Sequence, residues 1–189
     1  MRPALVLSLL LFAAPAFAVG PKSPAAPAPQ ITSEDQLFAQ LKKAESAEDA
    51  HPIEEKLLAM FRPSGSPSID LLMTRANAAL AATDNKTAKQ LIEAVTAIAP
   101  NYAEGWHTRA AMEQAAGDDT AALVSLQKVI LLNPRNFAAL GELGDKLEEY
   151  GDKAGALKLY RRALELDPQL EGAGRKVREL TQSVEGRDI

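Results

Sequence analysis

An all-α fold of helical hairpins stacked in series is what this sequence predicts, and three observations predict it. Pro100, Pro134 and Pro168 stop apolar helical runs at intervals of 34 residues. Asp84, Asp118 and Asp152 recur at the same interval of 34 residues, in the stretches between those stops. From Ser68 onward the strong apolar stretches carry the three-to-four-residue spacing of a helix buried on one side.

Aligning the chain with itself at that shift gives three windows, 69–102, 103–136 and 137–170. Each holds two helices. In the third, FAALGELGDKLEEY is the first helix, and Gly151 ends it because glycine tolerates the left-handed backbone that closes a helix. Asp152 then caps the second helix, KAGALKLYRRALEL. Gly117 stands in the matching turn of the second window, and Thr83 in that of the first. Proline lacks a backbone donor and disfavours helix in the residue before it, so each proline ends a second helix and turns the chain into the next first helix.

Small residues keep the same register. Ala76, Ala110 and Gly144 fall where a first helix crosses its second helix, and Ala88, Ala122 and Ala156 face them. Leu72, Trp106 and Leu140 are the large residues that fill the gap to the neighbouring helix, which makes Trp106 a packing residue in preference to a ligand platform. The third window reads Leu140-x2-Leu143-Gly144-x2-Leu147, then Ala156-x3-Tyr160, Ala163 and Pro168. A 34-residue helix–turn–helix unit with this order resembles the tetratricopeptide repeat (TPR). The resemblance implies a right-handed α-α superhelix, a TPR solenoid of three repeats, whose first helices line a concave groove. Proteins of that family mostly bind peptides or partner proteins there and are seldom enzymes on their own.

On that register the groove carries Asp70, Met73, Thr74 and Asn77 from the first unit. The second contributes Glu104, His107, Thr108 and Ala111, and the third Gly141, Glu142, Asp145 and Glu149. Met73 is expected to be an exposed apolar residue of the groove. Family members that clamp a C-terminal carboxylate use Lys, Arg and Asn on these sites. Here Asn77 alone matches, and Met73 and Gly141 stand where a basic side chain is needed, so no such clamp is expected. The wall grades from neutral to acidic, which suits a neutral to basic extended segment. The alternative is that Glu142, Asp145, Glu148 and Glu149 are a solvated helix face. Arg75 and Arg109 repeat within TRA. Their stems are expected to pack and their heads to reach water or a carboxylate, Arg109 with Glu113 one turn on.

Residues 31–68 predict an N-terminal helical hairpin, with helices over about 33–46 and 50–62 and a loop PSGSPS. Phe38, Leu41, Leu58 and Phe61 fit the apolar sites of the repeat, but Lys42 and Glu54 occupy its small-residue sites. The hairpin is therefore either a cap or a degenerate repeat. Pro52 is expected in the first turn of its second helix. Residues 171–184 predict a C-terminal capping helix with Ala173, Val177, Leu180 and Val184 on one face, covering the end of the stack, and 185–189 form a tail.

Residues 1–18, MRPALVLSLLLFAAPAFA, have a positive start, a short apolar run and a small-x-small end. A signal peptide cleaved after Ala18 is expected, and with it a periplasmic or secreted location. An uncleaved anchor is the alternative, but the run is short of the ~20 residues of a span, Pro15 interrupts it, and no later run is apolar enough to cross. Residues 19–30 are a Pro/Ala-rich linker.

A formal charge of −4 gives no support to nucleic acid as a partner. The absence of cysteine removes disulfides and thiolate chemistry. His51 and His107 lie far apart, and no phosphate-loop or nucleophile-elbow motif is present, so no catalytic residue, cofactor or metal is expected. The function expected is a non-enzymatic interaction module of a bacterial cell envelope, holding a segment of another protein in the groove. Two alternatives stand beside it. One is a chaperone-like holder of unfolded or apo secreted proteins, using exposed apolar residues such as Met73. The other is a scaffold that self-associates through its open ends.

Overall fold

The computed structural model describes residues 33–186. The expected signal peptide, the linker and the end of the tail lie outside them. Among the described residues there are nine helices and no strand. A hairpin of α1 (Ser33–Leu41) and α2 (Ala47–Phe61) precedes three units. These are α3 (Pro67–Ala81) with α4 (Asn85–Ile98), α5 (Ala103–Ala115) with α6 (Asp119–Leu132), and α7 (Phe137–Glu149) with α8 (Lys153–Leu166). Helix α9 (Ala173–Glu185) follows, and no helix is long and apolar enough to cross a membrane among these residues.

The turns inside the units are built alike. Asp84, Asp118 and Asp152 accept from the backbone N–H groups of Thr87, Ala121 and Gly155 at 3.1, 3.1 and 2.9 Å, satisfying donors that the first helical turn leaves open. The residue before each cap has a left-handed backbone, with φ of 76° at Gly117 and 83° at Gly151. Thr83 holds the same place at φ 58°, a conformation that costs a β-branched residue more than glycine.

Ala76, Ala88, Ala110, Ala122, Gly144 and Ala156 are all buried. A Cβ on Gly144 would come within 2.9 Å of Tyr160 Cε1, so α7 and α8 cross at a distance that only glycine allows without a shift of the ring. Trp106 packs beside Ala110, Leu126 and Val129, and its indole N–H donates to the Pro100 carbonyl at 3.0 Å. Successive units meet through α4 with α5 and α6 with α7. Leu71, Gly105 and Ala139 are equivalent sites. Gly105 and Ala139 are buried under the preceding unit, whereas Leu71 is 52% exposed because no unit stacks before α3. At the other end α9 covers α8 through Ala173, Val177 and Leu180, while Val184 emerges into solvent.

The hairpin departs from a simple series. It joins a core with Phe137, Ala138, Leu166 and Leu170 of the third unit and its exit, and that core contains no residue of α3 or α4. Phe38 meets Phe137 edge to face at 6.4 Å between ring centroids, and the Arg135 guanidinium lies over Phe38 at 4.0 Å. Arg135 also pairs with Asp35 at 2.6 Å and Glu34 at 3.2 Å. Gln169 donates to the Ala44 carbonyl, and the Tyr102 hydroxyl donates to that of Arg62. Tyr102, Arg135 and Gln169 all belong to the connections that lead from one unit to the next, so α1 and α2 run along that row of connections.

Helix α2 starts earlier than expected. The Ser46 hydroxyl accepts from the Asp49 N–H and donates to the Asp49 carboxylate, which fixes Ala47 as the first helical residue. Pro52 consequently lies inside the helix and not in its first turn.

Two outcomes test this packing. Gly144→Leu should overpack the α7–α8 crossing and lower stability by about 1–3 kcal/mol in denaturant unfolding. Phe38→Ala should release the hairpin, raising hydrogen exchange throughout α1 and α2 while α5 to α8 stay protected, since truncating a buried Phe costs about 3–5 kcal/mol.

Candidate functional site: the inner wall of the units

The first helices of the units present the wall on which a guest could lie. Thr74 and Asn77 are exposed on α3, and Ala111 is exposed on α5. Thr74 spends its hydroxyl on the Asp70 carbonyl at 2.8 Å. Thr108 is half-buried on α5.

Met73 is not in the wall. It is 6% exposed and packs with Ile69, Ala76, Ile92 and Val95. An unbranched thioether fits the irregular space under α4, and burying it there is worth more than displaying it. The groove position given by the repeat register therefore does not hold for this side chain.

Glu104, His107 and Glu142 come together from two units. His107 Nε2 lies 3.0 Å from Glu142, and Nδ1 lies 3.6 Å from Glu104 Oε2. Burial by itself pushes the imidazole pKa down. The bonds and charges of the two carboxylates outweigh it and hold the value up at about 10. His107 is thus an imidazolium at neutral pH, and it ties α5 to α7 across the unit boundary.

The acids of the third unit are tied as well. Asp145 accepts from the Tyr160 hydroxyl at 2.6 Å, Glu148 pairs with Lys176 at 2.9 Å, and Glu149 pairs with Lys146 at 2.7 Å. Lys146 is itself buried and also reaches Asp119 at 3.2 Å. Burial and the neighbouring carboxylates push the Tyr160 hydroxyl well above its ordinary value, so it stays a donor. A concavity of about 410 Å³ opens among Glu142, Asp145, Glu148, Glu149, Lys146 and Lys176. The acidic run is therefore not a bare anionic strip, although Asp145 and Glu149 remain exposed to solvent. Its carboxylates are held by partners on α5, α8 and α9 and, for Glu149, by Lys146 of its own helix.

A second concavity, of about 320 Å³, lies between the first two units. Leu80, Ile92 and Met112 form its apolar part, and Lys89, Glu93 and Arg109 are among its polar residues. Arg109 pairs with Glu113 at 2.7 Å, as expected, and Glu113 also accepts from Ser125 at 2.6 Å. Sequence reasoning missed Lys146, Lys176 and Tyr160 as partners of the wall. Their alternating position on helix faces marks them as ordinary surface or core residues, and nothing local links them to particular acids.

No family model matches the chain. It is 30% identical over 152 residues to a TPR repeat-containing protein of Rhizobium etli, across 80% of this chain and 74% of that one. Among solved structures it resembles MamA (AMB-1), with a TM-score of 0.56 and 19% identity over 80% of each chain. It also resembles the Yersinia enterocolitica type III secretion chaperone SycD, solved with a peptide of the translocator YopD. There the TM-score is 0.55 and the identity 14%, covering 62% of this chain and 95% of that one. At these identities the two structures speak to the fold alone.

The raised His107 pKa has a pH signature. Because the folded value exceeds the unfolded one, the stabilisation is full below about pH 6.5 and is lost as the pH rises through about 10. Urea unfolding of the wild type and of His107→Gln should therefore differ by roughly 1–3 kcal/mol at pH 6, a charge-assisted bond's worth, and converge by pH 10 to 11.

Proposed function

The chain belongs to the tetratricopeptide repeat proteins, and from that premise we propose that it is a non-enzymatic adaptor of the bacterial cell envelope. Its inner wall would hold an extended segment of another protein, neutral to basic in character. The observation that carries this reading is the set of ties across the wall, above all Glu142–His107–Glu104. Side chains already fixed before a guest arrives need little further ordering, which is the main cost of recognising a flexible segment. SycD, which shares the fold, was solved in complex with a peptide of the translocator YopD, and that supports the binding of a protein segment here.

The envelope location rests on residues 1–18, whose charge, apolar run and small-residue end suit an export signal. The remaining charge balance, with acids in excess, suits a protein partner over nucleic acid. A holder of unfolded clients would need an apolar wall. The residue that motivated that reading, Met73, lies in the core. Self-association keeps one site, the α3 face around Leu71, which no unit covers.

Photo-crosslinking residues placed at Asn77 and Ala111 in living cells test the adaptor directly. One stoichiometric partner is expected, and a spread of unrelated clients would replace the adaptor with a holder. Mass spectrometry of the exported chain should give Val19 as its first residue, and a chain retaining Met1 or Arg2 would remove the envelope assignment.

A further inference from the structure

The hairpin meets the third unit through one polar contact unlike the others. Asp167, in the connection between α8 and α9, is fully buried. Its Oδ1 accepts from the Gln169 N–H at 3.0 Å, while Oδ2 is buried without a hydrogen-bond donor. The group facing it is Glu54 of α2, which is itself a carboxyl. Their chain neighbours Ile53 and Leu166 belong to the shared core. Two ionised carboxylates side by side, here the buried Asp167 and the half-buried Glu54, repel, whereas one carboxyl and one carboxylate make a strong hydrogen bond with a single proton.

We propose that a proton shared by Glu54 and Asp167 fastens the hairpin to the third unit, forming an acid latch that loosens as the pH rises. With the proton on Glu54, its O–H donates to Asp167 Oδ2 and gives that oxygen its partner. Without it, both groups carry charge, that of Asp167 fully buried, and the hairpin is pushed off the row of connections.

Burial and the charge of Asp167 raise the Glu54 pKa from 4.5 to about 7, and burial raises that of Asp167 too. The other facing group is His51, one turn back on α2, whose Nδ1 lies 3.8 Å from Glu54 Oε2 and pulls the opposite way from an exposed position. Lys42, Lys43 and Glu45 in the α1–α2 turn are exposed. From α1 and the connection before α7, the charges at this interface are Glu34, Asp35 and Arg135, which pair with one another. The sign follows from a raised folded value. The latch is fully fastened below about pH 4.5, still mostly fastened at pH 6, and undone as the pH passes about 7. Between pH 6 and pH 9 the hairpin should open up to about tenfold more often.

Hydrogen exchange on the full chain reads this. Corrected for intrinsic rates, α1 and α2 amides should lose protection by up to about tenfold from pH 6 to pH 9, with α3 and α4 as the unchanged reference. Glu54→Gln keeps a donor for Asp167 and cannot ionise, so its hairpin should open equally at both pH values. Equal opening in the wild type, or an undiminished pH dependence in Glu54→Gln, overturns the latch. Should Glu54→Gln fail to seat the hairpin, carbon-13 NMR of the wild-type Glu54 carboxyl decides. A midpoint near 7 supports the shared proton, and one near the ordinary 4.5 overturns it.

Discussion

Two helices can cross with their axes close only where the facing residues carry almost no bulk, and the units depend on that constraint. At the α7–α8 crossing Gly144 lies under the Tyr160 ring, with 2.9 Å between the ring and the place of a Cβ. The first two units carry Ala76 and Ala88, and Ala110 and Ala122, at the equivalent sites, all buried. Close crossing fixes the angle of each hairpin, and the fixed angle sets how the next first helix is presented. His107 on α5 meets Glu142 on α7 because both helices are held at that setting. Small side chains at the crossings thus decide where charged side chains stand on the wall.

Much of this was legible because it is local. A cap needs its Asp three residues before the N–H it serves, a left-handed turn needs its glycine in sequence with the cap, and a proline acts on its own helix. Such signals repeat at 34 residues because the same short-range problem is solved three times. The hairpin shows the opposite case. Its register was readable, and Glu54 stood out as a misfit on a small-residue site. Its seat was not readable, since Arg135 and Asp35 are 100 residues apart and Gln169 and Ala44 are 125 apart. A misfit reveals that a residue does not serve the repeat. It does not reveal what the residue serves.

The wall was read with the same split. The register put Glu104, His107 and Glu142 on the groove side of first helices without linking them to one another, and it gave Met73 a place that the core claimed. Register assigns a side of the helix. Whether a side chain at the edge of that side turns outward depends on the space beneath it. For the acids the missing information was the identity of the partners. Tyr160 is 15 residues from Asp145, Lys176 is 28 from Glu148, and His107 is 35 from Glu142. These spacings cross from one helix to another, and composition alone cannot choose among them.

A wall of paired charges recognises guests differently from a bare one. An unpaired acidic strip would attract any cation over a Debye length of about 8 Å, with little discrimination and strong dependence on salt. Here Glu142, Glu148 and Glu149 have cationic partners that reduce their long-range field, whereas Asp145 keeps its charge beside the neutral Tyr160 hydroxyl. A basic guest therefore gains less from long-range attraction than a bare strip would give it. It gains more by placing donors where Glu142, Asp145, Glu148 or Glu149 have an accepting lone pair to spare, or by taking over a bond from Lys146 or Lys176. That exchange is close to neutral when the geometry is matched and costly when a partner is left buried and unpaired. Affinity is thereby limited and selectivity is raised, because a mismatched guest faces a penalty in place of a weaker attraction. An adaptor requires that balance, whereas a holder of unfolded chains would be served better by the exposed apolar surface that Met73, buried, does not supply.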